Sequence, residues 1–170
     1  VTAAMLQAPV LDASMPAAAR YGAFGALVGH ELSHVVDMRG RLVDAKGTLR
    51  DWWTPTEAAA WDARLQQVAT LYDGFAYPQL GNVKVNGRLT RDAAIADIAG
   101  LGLARDAMKA ALPDGGAEAD KAFYRAWAHV WAQQVTDDEA QRRSLQDVRP
   151  PGRWRANGAI MQEPAFATAF

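Results

Sequence analysis

The pentapeptide His30-Glu31-Leu32-Ser33-His34 constrains this chain more than any other stretch, because its spacing acquires meaning on a helix. At about 3.6 residues per turn, positions 30 and 34 lie about 40° apart on one face. The flanking sequence supplies that helix. Tyr21, Phe24, Leu27, Val28, Val35 and Val36 recur at helical spacing from about Pro16 to Met38, and Gly40 provides a stop. Two imidazoles so placed can reach one zinc ion, and Glu31 beside them can take a proton from a water that the ion polarises. The same side chains could equally line a solvated helical face, and five residues alone do not choose between these readings.

The rest of the chain reads as helices separated by short breaks. Residues 1–13 are irregular or extended, and 41–53 form a loop or hairpin turning at Lys46-Gly47. Thr54-Pro55-Thr56-Glu57 combines a capping threonine, a proline at the first helical position and a reciprocal glutamate, so a helix runs from there to about Tyr72. A loop with the Asn86-Gly87 turn follows. Thr90 is then expected to cap a helix reaching about Leu112, where Pro113-Asp114-Gly115-Gly116 interrupts the chain. A further helix is expected over 117–135. Thr136 and Glu139 suggest a second capping box for a helix to about 147, and the proline- and glycine-bearing tail reads as mainly irregular.

Composition excludes several classes. The chain has 170 residues, half of them hydrophobic, which suits one domain, 1–170, with a real core. A net charge of -1 gives no basic face for nucleic acid. No apolar run is long enough to span a membrane. With no cysteine, neither disulfides nor thiolate metal sites are available. No serine sits in a G-x-S-x-G elbow, and the glycines at 81, 87, 100 and 102 lack the lysine and serine of a phosphate loop.

The surroundings of the motif narrow the class. Gly29 through His34, then Asp37, Gly40-Arg41, Asp44 and Asp51-Trp52-Trp53-Thr54 resemble the neprilysin and endothelin-converting-enzyme family of zinc endopeptidases. The resemblance continues in order through Val85-Asn86-Gly87, Leu89-Thr90, Ile95-Ala96-Asp97, Gly100-Leu101, Asp147, Pro151, Arg155, Asn157-Gly158, Phe166 and Phe170. It implies a mainly α zincin-like (thermolysin-like) metallopeptidase domain with a small β component beside the motif helix, acting on internal bonds of small peptides. It also implies zinc held by His30 and His34, with Glu31 as general base. Asp97 matches an aspartate that orients the first histidine, fixing its tautomer and ring direction. Arg155 matches an arginine that hydrogen-bonds a substrate carbonyl. The family's large N-terminal domain, which closes over the active site, lies outside these residues and is an expected partner. The family's habit of export points to a periplasmic or extracellular location.

Two departures from the family pattern stand out. The third zinc ligand of the family is a glutamate four residues before the aspartate, and Ala93 occupies that place here. Asp92 is the nearest substitute, yet it points about 100° further round the helix on a shorter side chain. A histidine that stabilises the tetrahedral intermediate is replaced by Arg149, whose guanidinium can still offer charge to an oxyanion. The expectation is therefore an impaired zinc endopeptidase with weakly bound metal. A catalytically degenerate relative kept for binding or regulation is the alternative. His129 has no partner at matching spacing and reads as a packed or capped helix residue. Trp52 and Trp53 suit a hydrophobic anchor as well as a binding surface.

Overall fold

The computed structural model describes residues 2–170. Its spine is a 25-residue helix, α4 (Gly87–Ala111), and its position follows from how the sequence starts and fills it. Asn86, not Thr90, is the cap: its side chain accepts the Leu89 N–H at 3.0 Å, while the Thr90 hydroxyl donates back to the Asn86 carbonyl. The helix thus begins four residues earlier than the threonine suggests. Asparagine competes well for a cap because its short amide reaches the free N–H groups of the first turn.

Two apolar clusters pack along different stretches of α4, one toward its end and one toward its start. Leu101, Ala104 and Met108 join Phe123, Tyr124 and Trp127 of α5 (Gly116–Val130) and Ile160 of α7 (Gly152–Ile160). Ala94 and Ile95 meet Leu65, Val68 and Tyr72 of α3 (Pro55–Asp73), together with Tyr77, Val85 and Ala140, while Ile98 touches both clusters. Helix α3 starts with the expected capping box, Thr54 and Glu57 each satisfying the other's backbone. Helix α6 (Asp137–Gln146), which gives Ala140 to the second cluster, is capped by Thr136 alone, because the Glu139 carboxylate turns instead to Arg142 and Arg143.

The segment preceding and containing the motif is helical but not uniform. It comprises α1 (Ala17–Arg20), a π-helical turn at Tyr21–Gly25, α2 (Ala26–Ser33) and a 3₁₀ turn at His34–Val36. The expected helix to Met38 therefore tightens at His34. Asp37 accounts for this ending, since its carboxylate accepts the N–H groups of Arg39 and Gly40 and competes with helical bonding. At the crossing of α2 and α4, two glycines let backbones meet. A Cβ on Gly29 would stand 2.6 Å from the Gly100 carbonyl oxygen, and one on Gly100 would stand 2.4 Å from the His30 nitrogen. The motif helix is pressed onto the spine at the residue that begins the motif.

Two other regions differ from the sequence reading. The helix after Gly116 stops at Val130 rather than near 135. The tail is not mainly irregular: Pro151 precedes α7, and Phe166–Ala169 form a last short helix, α8. The Pro150-Pro151-Gly152 run marks the start of a helix, a place proline favours as readily as it ends one. The β component is minimal among the described residues, consisting of isolated antiparallel bridges at Val43↔Leu49 and Ala76↔Lys84. The first closes the predicted turn at Gly47, whose φ of 77° suits glycine.

Candidate metal centre

His30 leaves α2 toward the spine and His34 leaves the turn that follows it. Their Nε2 atoms face one another 3.3 Å apart, with ring planes 85° to each other. Each ring is held from behind by a carboxylate. His30 Nδ1 meets Asp97 Oδ1 of α4 at 2.7 Å, and His34 Nδ1 meets Asp37 Oδ2 at 2.7 Å. An ionised carboxylate only accepts hydrogen bonds, so each Nδ1 is the N–H, and in the neutral ring Nε2 keeps its lone pair. Two lone pairs aimed together repel unless a cation or a proton joins them.

The spacing suits zinc. Two imidazole nitrogens each about 2.0–2.1 Å from a tetrahedral zinc stand roughly 3.3 Å apart. The carboxylate behind each ring is the support that ligand histidines need to fix tautomer and direction. The two histidines therefore fit a zinc ion, but they do not make a full set. No cluster of three or more histidine, aspartate or glutamate side chains able to hold a metal occurs among the described residues. Ala93 lies in the same cavity as both histidines and has no donor atom. Asp92 lines that cavity too, yet its side chain is 67% exposed and stands 3.9 Å from Arg91.

Behind His30 the support is deeply buried. Asp97 is fully buried and accepts Arg155 Nε at 2.7 Å and Nη2 at 2.6 Å, a bidentate grip. Arg155 itself is buried on α7, with its guanidinium 3.5 Å from the centre of the Trp131 ring. Tyr72 closes this layer, its hydroxyl donating to the Trp154 carbonyl at 3.2 Å. Burial and then the nearby Asp97 carboxylate push the Tyr72 phenol far above its ordinary value, against an opposite pull from Arg155. Gly158 makes room for that hydroxyl, since a Cβ there would stand 2.4 Å from it.

The support behind His34 is local. Burial disfavours the charge on Asp37, but bonds from Gly40, His34 and Arg39 outweigh it and hold the carboxyl below its ordinary value. Asp37 carries the family resemblance in the sequence, yet its grip on the second histidine was not assigned there. The signal was the spacing of three residues beyond His34, which a tight turn converts into contact.

Glu31 is exposed on α2 between the histidines. Arg149 is exposed and borders the cavity of about 460 Å³ that His30 and His34 line. His129 is exposed in the last turn of α5. Trp53 stacks edge-on with Trp61 beneath Arg41, while Trp52 donates its indole N–H to the Gly40 carbonyl, so this pair anchors the loop after the motif.

Comparison with known proteins fixes the family: the sequence pattern of peptidase family M13 matches residues 1–170. The chain belongs to that family. It is 34% identical to neprilysin-1 of Caenorhabditis elegans, the match covering 99% of this chain and 24% of that protein. Bovine endothelin-converting enzyme 1 is 32% identical over 99% of this chain and 23% of its own length. The fold superposes on the Mycobacterium tuberculosis zinc metalloprotease Zmp1 in its open state with a TM-score of 0.90. That match has 31% identity and covers 98% of this chain and 27% of that one. PepO of Lactobacillus rhamnosis gives 0.89 at 35% identity, covering 100% of this chain and 26% of that one. This M13 chain thus spans about a quarter of the length of the relatives it matches. None of its helices is long and apolar enough to cross a membrane among the described residues.

Proposed function

We propose that this chain is the zinc-binding part of an endopeptidase for small peptides, weakened at two positions. His30 and His34 hold the ion, and zinc there supplies Lewis-acid polarisation of a carbonyl or a water. Asp97 and Asp37 keep the Nδ1 protons in place, so both Nε2 lone pairs stay directed at one point. Glu31 accepts the proton that an attacking water must lose. Arg155 gives two donors to Asp97 and retains its remaining N–H groups for a substrate backbone carbonyl. Arg149 offers charge to an oxyanion where the family has a histidine. A covering N-terminal domain from the rest of the protein would exclude water from the cavity, and the protein works in the periplasm or outside the cell.

The observation that carries this reading is the pair of facing Nε2 atoms at 3.3 Å, each ring backed by its own carboxylate. The absence of a donor at Ala93 supports the weakening. It also favours a second reading, a catalytically degenerate member retained for binding or regulation. A fluorogenic peptide assay with added zinc, using Glu31→Gln as the blank, separates the two. The first reading expects slow turnover that Glu31→Gln removes, and the second expects none above the blank. Robust turnover abolished by Glu31→Gln would contradict the weakening itself.

A further inference from the structure

The cavity that holds the two histidines also carries two cationic side chains, Arg39 and Arg149, that form no ion pair among the described residues. The hydrogen bonds recorded for these residues are made by their backbone N–H groups, Arg39 to Asp37 and Arg149 to Asp147. The acids near them make no side-chain contact with either guanidinium, and Asp147, beside Arg149, accepts that residue's backbone N–H. Asp37 is taken up by His34 and two N–H groups, and Asp92 lies by Arg91. Arg149 also borders a second depression of about 410 Å³ beside Arg142 and Arg143, whose own charges are directed at Glu139.

We infer that Arg39 and Arg149 form a carboxylate-recognition subsite in this cavity, so that the favoured ligand is a peptide bearing a carboxylate there. The inference rests on reading the cavity as the peptide site. A planar guanidinium presents paired donors that match a carboxylate's two oxygens, and two such groups bordering a recess favour an anion over a neutral amide. The carboxylate comes either from an acidic side chain or from the peptide's C-terminus, and both present the same two oxygens. The proposal also bears on turnover. An Arg149 engaged by a substrate carboxylate is withdrawn from an oxyanion, so acidic peptides bind better without being cleaved faster.

Binding rather than cleavage tests this. The probes are four forms of one dye-labelled hexapeptide: glutamate or glutamine at a central position, each with a free or an amidated C-terminus. Fluorescence anisotropy is read at low salt on the chain in EDTA, where no metal can act as the carboxylate's partner. A free carboxylate of either kind should tighten binding on the order of tenfold over the neutral amide, an advantage that added salt reduces. Comparison of the two single-carboxylate forms identifies the source. Arg39→Gln and Arg149→Gln, both at exposed positions and checked for helicity by circular dichroism, should each lose most of the advantage. Equal affinity for all four peptides overturns the proposal, as does an advantage that survives both substitutions. An advantage seen only with zinc present overturns it too, since the metal would then be the carboxylate's partner. Failure of zinc to bind in a separate titration would count against the peptidase reading and leave this measurement in EDTA intact.

Discussion

His30 keeps only 10% of its side chain exposed and is held by Asp97, 67 residues away, whereas His34 is 39% exposed and is held by Asp37, three residues on. The two rings face each other and have the same hydrogen-bond chemistry, but one is fixed by the tertiary fold and the other by a turn. Behind His30 lie a buried arginine, a tryptophan ring and the α2–α4 glycine crossing. Behind His34 lie one carboxylate and two backbone N–H groups at the surface. Damage to the first support should therefore cost folding and metal together, and damage to the second should cost metal alone.

Asp97→Ala gives the largest expected effect. It strands Arg155 without its partner in a buried layer, which typically costs about 3–5 kcal/mol, and zinc affinity should fall with it. Thermal unfolding followed by circular dichroism checks this, and a small change in melting temperature would remove the distinction between the supports. Next comes Gly100→Ala. The new methyl must displace the backbone of His30, an overpacking worth about 1–3 kcal/mol, and it should loosen the His30–Asp97 bond. Asp37→Ala should barely alter the melting temperature yet weaken zinc binding by about 10–100-fold, the usual cost of losing a carboxylate behind a ligand histidine.

The smallest effect lies away from both histidines. Hydrogen bonds from Arg142 and Arg143 hold the exposed Glu139 carboxyl down to about 2 from an ordinary 4.5. Because its value is depressed on folding, its stabilisation is present above the ordinary value and is lost as pH falls through the folded one. Parent and Glu139→Gln should therefore differ slightly in melting temperature at neutral pH and converge toward pH of about 2. Salt should shrink the difference, since the group is exposed.

The same contrast explains what the sequence revealed. Local signals were legible: the Thr54 cap, the turn at Gly47 and the one-turn spacing of the histidines all depend on neighbours in the chain. Thr90 misled because two capping residues compete there and Asn86 wins four positions earlier. The tail misled because Pro151 opens a helix whose stability comes from Arg155 meeting Asp97 and Ile160 entering the core, neither of which is local. For the centre itself, the resemblance identified Asp97, which spacing alone could not link to His30. The grip of Asp37 on His34 depends on the chain tightening at Ser33–His34, and a regular helix through Met38 conceals it.

Zinc affinity tests the central claim most directly: His30 and His34 form a supported but incomplete metal site because Ala93 supplies no donor. A competing chelator titration should be run on the parent, Ala93→Glu and Asp92→Ala. Position 93 lies one turn before Asp97, so a glutamate there leaves the same face of α4 and adds a charged oxygen to the two imidazoles. The account predicts weak binding in the parent and little change in Asp92→Ala. It predicts clear tightening in Ala93→Glu, with a zinc-dependent gain in melting temperature. Nanomolar zinc in the parent would contradict it. So would an Ala93→Glu variant with unchanged affinity alongside an Asp92→Ala variant that no longer binds, because the site would then be built around Asp92.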